Sequence, residues 1–215
     1  QLVERADLSG VADGHANGMV VDRQGNGYVG NFGFDLMGGA PFAPARLARV
    51  APDGTVSAVA EGLYFPNGSM VTPDGRTLIV GETFGNRLSA FDLLPGGGLG
   101  PRRDWAVFGP LPQGDNLAQV IAQTQVAPDG AALDAEGAVW LADANHRRVL
   151  RVAEGGRVLG EIATRPLGVY ACALGGPDGR TLFLCVAPDY LEHKRKAARE
   201  AAARTTRADV PASGV

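Results

Sequence analysis

The sequence predicts an all-β fold of the β-propeller type, with about four blades in this chain. Three observations support that prediction. Four segments place a hairpin glycine in one register, at Gly25, Gly75, Gly137 and Gly179. These glycines are 50, 62 and 42 residues apart, a spacing that suits four-stranded blades with variable loops. No amphipathic helix stands between the apolar runs before residue 190, so a parallel α/β sheet lacks its crossovers.

Each unit is interpreted as a strand, a tight turn and a second strand, followed by another pair. The first runs and their turns are "NGMVVDRQG", "NGSMVTPDG", "DGAALDAEG" and "ACALGGPDG", and the second runs are "NGYVGN", "RTLIVGE", "AVWLAD" and "RTLFLC". Further pairs follow in "RLARVAPDGTVSAVA", "RLSAFDLLPGGGL" and "RVLRVAEGGRVLGEI". An immunoglobulin-like sandwich stays open on strand count alone, but a sandwich does not explain a four-strand period.

Composition narrows the classes of function and of partner. The chain has 215 residues, 45% of them apolar and 20% charged, which is ordinary for one globular domain. A net charge of −3 argues against a nucleic-acid partner. No apolar run approaches a membrane span, and "QLVERADLSG" lacks a signal-peptide layout, so we expect no membrane partner and a cytoplasmic location. Cys172 and Cys185 are expected to stay unbridged.

Two helices are expected in this single, partial propeller domain of residues 1–215. A short helix is expected within 115–124, and the Ala, Glu and Lys/Arg content of residues 190–204 favours a C-terminal surface helix. The loop segments 30–45 and 111–125 are ordinary inter-strand loops when each is considered alone. Together they flank the same rim and would form an apolar lid.

The residues that precede the hairpin glycines at one fixed phase are Asn17, Asn67, Asp129 and Ala171. In a propeller the first strand of each blade lines the central channel, so these side chains are predicted to converge at one mouth of it. Taken singly, Asn67-Gly68 is a tight-turn signal. Taken together, three oxygen-bearing side chains with few basic partners are what a hard divalent cation requires.

These motifs resemble the SMP-30/gluconolactonase/luciferin-regenerating-enzyme (regucalcin-like) family of six-bladed propellers. The resemblance rests on "HANGMVVDRQGNGYVGNFGFD", "FPNGSMVTPDGRTLIVGET", "VAPDGAALDAEGAVWLAD" and "ACALGGPDGRTLFLCVAP", and it runs through most of residues 7–190. It implies that Asn67 and Asp129 bind a divalent metal ion, Ca²⁺ or Zn²⁺. It also implies that Asn17 helps to hold substrate or metal, and that His15 stands where lactonase members often carry a substrate-binding Arg.

The same resemblance implies a further blade or more upstream, with a Glu that completes the metal site. Nothing in residues 1–16 matches that segment, and Glu4 lacks its motif, so we expect an N-terminally shortened family member. Exposed blade edges would then favour a homo-oligomer or lower the stability. The resemblance suggests that "TRADVP" forms an edge strand. Glu82 and Asp143 end second strands near the same rim, where either is a candidate to support the metal site and Glu82 to complete its ligands, but a turn or surface placement is preferred.

Two classes of function remain. The first is metal-dependent hydrolysis of a small-molecule lactone or related ester, with Asp129 as the catalytic residue and Asn17 and His15 contacting substrate. The second is a non-catalytic propeller that binds a small ligand or a protein partner. The sequence contains no G-x-S-x-G elbow, no P-loop and no dinucleotide fingerprint, which argues against the corresponding enzymes.

Overall fold

A computed structural model describes residues 3–191, 195 and 201–213. In this part of the chain, fifteen strands form four antiparallel sheets, each built from strands that follow one another in sequence. The first sheet contains β1 Ala16–Val21, β2 Gly27–Asn31, β3 Ala45–Val50 and β4 Val56–Leu63. The second contains β5 Pro66–Val71, β6 Thr77–Glu82, β7 Arg87–Asp92 and β8 Arg103–Val107.

A short α-helix, α1 Leu117–Gln123, lies between the second and third sheets. The third sheet contains β9 Pro128–Leu133, β10 Val139–Asp143, β11 Arg148–Val152 and β12 Val158–Ala163. The fourth contains β13 Gly168–Gly175, β14 Thr181–Ala187 and β15 Ala202–Arg207. The first strands contact one another in the order β1, β5, β9, β13, which is the arrangement of propeller blades around an axis. The predicted propeller is confirmed, and a two-sheet sandwich is excluded.

The hairpin glycines adopt the conformation that their register predicts. Gly25, Gly75, Gly137 and Gly179 have φ angles of 86°, 72°, 76° and 69°, a region that residues with a Cβ atom rarely enter. The strand pairs are confirmed with one difference. In "RLSAFDLLPGGGL" the second run makes only the isolated bridge Leu93↔Leu99, and the outer strand starts at Arg103.

Apolar faces of neighbouring sheets form the core. Between the first and second sheets, Tyr28 and Leu47 pack with Leu78 and Val80. Equivalent clusters join the second sheet to the third and the third to the fourth, and they include Ile79, Leu88, Leu141, Leu150, Trp140, Val149, Leu182 and Leu184. The sheets are therefore stacked side by side, with their first strands at the axis.

The helix predictions have different outcomes. The short helix within 115–124 is confirmed as α1, whose cap is Asn116, with its side chain accepting a hydrogen bond from the Gln119 N–H at 3.1 Å. Most of the helix predicted at 190–204 lies outside the described residues, and its end is wrong because residues 202–204 belong to β15. The edge of β14 supplies backbone partners along β15, and these outweigh the helix propensity of alanine. The edge strand placed in "TRADVP" thus begins four residues earlier, at Ala202.

Both cysteines are free, as the sequence predicts. Strand pairing places Cys172 opposite Leu184 and Cys185 opposite Ala171. No helix among the described residues is long and apolar enough to cross a bilayer.

One face of the first sheet is not covered by any other sheet of the described residues. Leu8 and Val11, from the segment before β1, pack on part of it against Val29. On β1, the side chains of Met19 and Val21 remain 58% and 53% exposed. The homo-oligomer that the sequence predicts is not tested by these observations and stays a prediction.

Candidate functional site

One cavity of about 200 Å³ lies where the first strands converge. Asn17, Asn67 and Asp129 all line it, so the predicted convergence is confirmed. The Nδ2 atom of Asn67 donates a hydrogen bond to Oδ1 of Asp129 at 2.8 Å, although the two residues are 62 positions apart. The remaining wall residues are Phe32, Leu36, Met37, Phe65, Thr83, Phe84, Leu117, Ile121, Ala144, Asn145, Tyr170 and Tyr190.

A β-bulge in each first strand turns these side chains into the cavity. In every blade the first strand carries one more residue than its partner at this point, between 16 and 19, 66 and 69, 128 and 131, and 169 and 171. Such bulges re-aim side chains and are frequent beside functional sites. The turn interpretation of Asn67-Gly68 is therefore wrong, because both residues lie inside β5. In the fourth blade the bulge directs Tyr170 to the wall, whereas Ala171 does not line it.

The glycines after Asn67 and Asp129 allow the first strands to touch. A Cβ atom on Gly68 would lie 2.1 Å from the carbonyl oxygen of Asp129, and one on Gly130 would lie 2.7 Å from Cα of Ala171. Real Cβ atoms do not approach so closely, so no other residue fits without moving the backbone. The Asx-Gly pair is thus a close-packing signal, which brings Asn67 and Asp129 within hydrogen-bond distance.

Asp129 is a carboxyl group with an unusual proton affinity. Burial raises its pKa from 3.8 to about 7, although the hydrogen bonds from Asn67 and from the backbone N–H of Gly130 lower it in part.

Thr83, which sequence reasoning missed, fixes the orientation of the Asn67 amide. Its Oγ1 donates to the carbonyl oxygen of Pro128 at 2.6 Å and accepts from Asn67 Nδ2 at 3.2 Å. The amide nitrogen of Asn67 therefore faces Asp129.

His15 lies outside the cavity wall. Its side chain is exposed, and its ring centroid lies 5.6 Å from that of Phe32, which does line the cavity. The backbone N–H of Phe32 donates to the His15 carbonyl oxygen at 3.1 Å. The substrate-binding role of His15 stays a prediction.

Glu82 and Asp143 are fully buried, so the surface placement expected for them is wrong, although each opens the turn that follows its strand. Glu82 Oε1 lies 3.1 Å from Nε of Arg87, and Oε2 accepts the backbone N–H of Tyr64 at 2.8 Å. Asp143 Oδ2 accepts Nε of Arg148 at 2.8 Å. Each carboxylate ends a second strand and is compensated by a cation from the next strand. Neither lines the cavity, so Glu82 is not placed to complete a metal shell there.

The predicted apolar lid is present on the cavity wall. Leu36 and Met37 come from the segment 30–45, and Leu117 and Ile121 come from α1. Sequence reasoning missed the aromatic wall beneath them, which consists of Phe32, Phe65 and Phe84. The Phe32 and Phe65 rings stack with centroids 4.4 Å apart, and the Phe84 ring meets Phe65 edge-on at 5.1 Å. The sequence signal that could have predicted this wall is an aromatic residue placed directly before a first strand, as at Phe65, or just after a second strand, as at Phe32 and Phe84.

Two further wall residues supply polar atoms. Asn145 carries a buried Nδ2 that has no hydrogen-bond partner among the described residues. Burial and the nearby Asp189 raise the pKa of Tyr170, so its hydroxyl is protonated at neutral pH.

The oxygen atoms on the cavity wall are of the types that bind Ca²⁺, but the predicted protein ligands are too few to fill its coordination shell. The predicted ligands on the wall are the Asp129 carboxylate and the amides of Asn17 and Asn67. Among the described residues, no group of three or more His, Cys, Asp or Glu side chains is placed to hold a metal ion. Ca²⁺ takes about six to eight oxygen ligands, so these three donors would leave most of its coordination to other groups.

Fold and site together define a β-propeller with an axial, Asx-lined cavity. The family model of the SMP-30/gluconolactonase/LRE-like region matches residues 3–188, and the chain belongs to this family. Over 171 residues it is 28% identical to pentonolactonase XacC of Haloferax volcanii, covering 80% of this chain and 53% of the relative. Over 139 residues it is 29% identical to 6-deoxy-6-sulfogluconolactonase of Pseudomonas putida, covering 65% of this chain and 44% of the relative.

The solved structure of luciferin-regenerating enzyme superposes with a TM-score of 0.72 at 19% identity, covering 94% of this chain and 65% of that one. At that identity the likeness concerns the fold alone. The chain spans about half the length of the curated relatives it matches.

Replacing Gly68 tests the contact between the first strands. Gly68→Ala places a methyl group against the Asp129 backbone and is expected to lower the free energy of unfolding by roughly 1–3 kcal/mol. Gly160→Ala is the matched control, since it also lies in a strand and its Cβ meets no atom within 4 Å. Urea unfolding measures both, and equal midpoints would contradict the close contact.

The raised pKa of Asp129 predicts a pH dependence of stability. The folded carboxyl binds its proton more tightly than the unfolded one, so the free energy of unfolding falls as pH rises from about 4 to about 7. Asp129→Asn cannot ionise, so its stability relative to the wild type should increase through this window and level off above it. Unfolding by urea at each pH measures the difference.

Asp53→Asn is the control. The hydrogen bond from the Thr55 N–H lowers the pKa of this exposed carboxyl, so its ionisation changes the free energy of unfolding only at pH values below about 4. A difference between wild type and Asp129→Asn that stays flat from pH 4 to 7 would contradict the raised pKa of Asp129 in the folded protein.

Proposed function

We propose that this protein hydrolyses a lactone or a related ester in the axial cavity, with Asp129 as general base. The observation that carries the proposal is the Asp129 carboxyl itself, which lies in a largely apolar cavity and has a pKa of about 7. A base is most effective when its pKa is close to the working pH. The relatives named as a pentonolactonase and a 6-deoxy-6-sulfogluconolactonase support a lactone as substrate.

The proposed reaction uses water as the nucleophile. Asp129 takes a proton from a water molecule, whose oxygen attacks the carbonyl carbon of the ring. The ring C–O bond then breaks, and the proton passes from Asp129 to the leaving alkoxide. Asn67 holds Asp129 in position through its hydrogen bond of 2.8 Å. The amide of Asn145 and the hydroxyl of Tyr170, two residues of the cavity wall, would donate hydrogen bonds to the negative charge that develops on the carbonyl oxygen.

A divalent metal ion, Ca²⁺ or Zn²⁺, is part of the proposal. Asp129 and Asn67 would be its protein ligands, with Asn17 beside them. Such an ion would polarise the substrate carbonyl and favour ionisation of Asp129. With one carboxylate and two amides, we expect this chain to bind the ion weakly. Asn17 and His15 as substrate-binding residues, a cytoplasmic location and a homo-oligomer stay predictions of the sequence.

Lactone turnover with and without added metal tests the proposal. We expect slow opening of D-glucono-1,5-lactone or γ-butyrolactone by the 215-residue chain, increased by Ca²⁺ or Zn²⁺ and abolished in Asp129→Ala. Calorimetric titration of the metal gives a readout independent of turnover, and binding should also be lost in Asp129→Ala. Asp53→Asn is the control for a carboxylate outside the site.

Two results would contradict parts of this proposal. Turnover that Asp129→Ala leaves unchanged would exclude the assigned site. Turnover by no lactone under any metal condition would favour the second class of function, a propeller that binds a ligand without catalysis.

Asn145→Ala tests the proposed oxyanion donor. Loss of one such donor is expected to lower kcat on the order of 10²-fold. The unfolding free energy should change by less than about 0.5 kcal/mol, because the Nδ2 atom makes no hydrogen bond within the described residues. Steady-state kinetics and urea unfolding measure the two effects, and an unchanged kcat would remove Asn145 from the mechanism.

A further inference from the structure

The cavity wall has a polar part and an apolar part. Seven wall residues carry a polar side-chain atom, namely Asn17, Asn67, Thr83, Asp129, Asn145, Tyr170 and Tyr190. The rest of the wall is formed mainly by aromatic and aliphatic side chains from the loops and α1. Building on the proposed function, we propose that the substrate is a lactone or cyclic ester that carries an apolar alkyl or aryl substituent, which the apolar part of the wall binds.

The charge and polarity of the wall support this substrate class. Among the described residues that line the cavity, Asp129 is the only one with an ionisable acid or base that is charged near neutral pH. A polyhydroxylated ring would place hydroxyl groups against Phe65, Phe84 and Ile121, which offer no hydrogen-bond partner. A buried hydroxyl without a partner is unfavourable, whereas an alkyl chain gains from leaving water at the same place.

One residue of the aromatic wall, Phe65, has a strained backbone. Phe65 has a φ angle of 58°, a left-handed conformation that a bulky residue rarely adopts. Its ring is held between Phe32 and Phe84, and its carbonyl oxygen accepts the N–H of Thr83 at 3.0 Å. The residue that presents this ring therefore also connects to the hydrogen bonds around Asn67, so the aromatic surface keeps a fixed position relative to Asp129.

The lid side of the wall is also held in place. Asn86 is fully buried, and its Nδ2 donates to the carbonyl oxygens of Pro110 at 2.8 Å and Gln123 at 3.1 Å. Its Oδ1 accepts the backbone N–H of Gln125 at 2.7 Å. These bonds fasten both ends of the segment that contains α1, and Val120 on that helix is fully buried in the aromatic cluster. Leu117 and Ile121 thus face the cavity from a fixed helix.

The turnover experiment compares three lactones. For γ-nonalactone, which carries a five-carbon chain, we expect kcat/KM at least about tenfold above that for unsubstituted γ-butyrolactone, mainly through a lower KM. D-glucono-1,5-lactone should be a poorer substrate than γ-nonalactone. In Ile121→Gln, the ratio of kcat/KM for γ-nonalactone to kcat/KM for γ-butyrolactone should fall at least about fivefold. Ala122→Gln is the control, because this exposed neighbour on α1 does not line the cavity.

A binding experiment separates this inference from the proposed function. 2-Pentylcyclopentanone has a ring carbonyl but no ester bond, and by calorimetry it should bind at least about tenfold more tightly than cyclopentanone. Equal binding of the two ketones, or a preference for D-glucono-1,5-lactone in turnover, would overturn the inference while leaving lactone hydrolysis intact. Preferential binding of the pentyl ketone without turnover of any lactone would support the apolar subsite and overturn the proposed hydrolysis.

Discussion

Direct contact between the backbones of neighbouring first strands determines the geometry of the site. At Gly68 and Gly130 the next strand occupies the space that a side chain would need. The bulge at the same point gives the first strand an extra residue, which turns the preceding Asx side chain toward the axis. Asn67 and Asp129 form a hydrogen bond only because both conditions are met. A wider spacing of the first strands would separate Asn67 from Asp129.

The distribution of cations explains the proton affinity of Asp129. Arg87, Arg148 and Arg151 are each paired with a fully buried carboxylate elsewhere in the second and third sheets, namely Glu82, Asp143 and Asp134. A buried carboxylate that has a cationic partner is stabilised in its ionised form. Within the described residues Asp129 has only neutral donors, so burial dominates and raises its pKa. Asp129 thus differs from these three carboxylates because no arginine of the next strand is paired with it among the described residues.

The second sheet links the polar and apolar parts of the cavity. Its first strand carries Asn67, the residue after its second strand is Thr83, and Phe65 and Phe84 adjoin these two positions. Hydrogen bonds from Asn67 to Thr83 and from Thr83 to the Phe65 and Pro128 carbonyl oxygens join the sheet to its neighbour. The proposed chemistry at Asp129 and the proposed selection by the aromatic wall therefore depend on the same few backbone contacts.

Local patterns in the sequence determined the hairpins, because a glycine with positive φ and two alternating apolar runs need no distant partner. The common phase of Asn17, Asn67 and Asp129 also followed from the repeat, since equivalent positions in equivalent blades meet at one axis. Tertiary structure alone decided that Asn67-Gly68 lies inside a strand and that residues 202–204 pair with β14 rather than form a helix. It also decided that Glu82 is buried against Arg87. In each of these cases the favoured state depends on a neighbouring strand, whose contacts outweigh the local preference of the residues themselves.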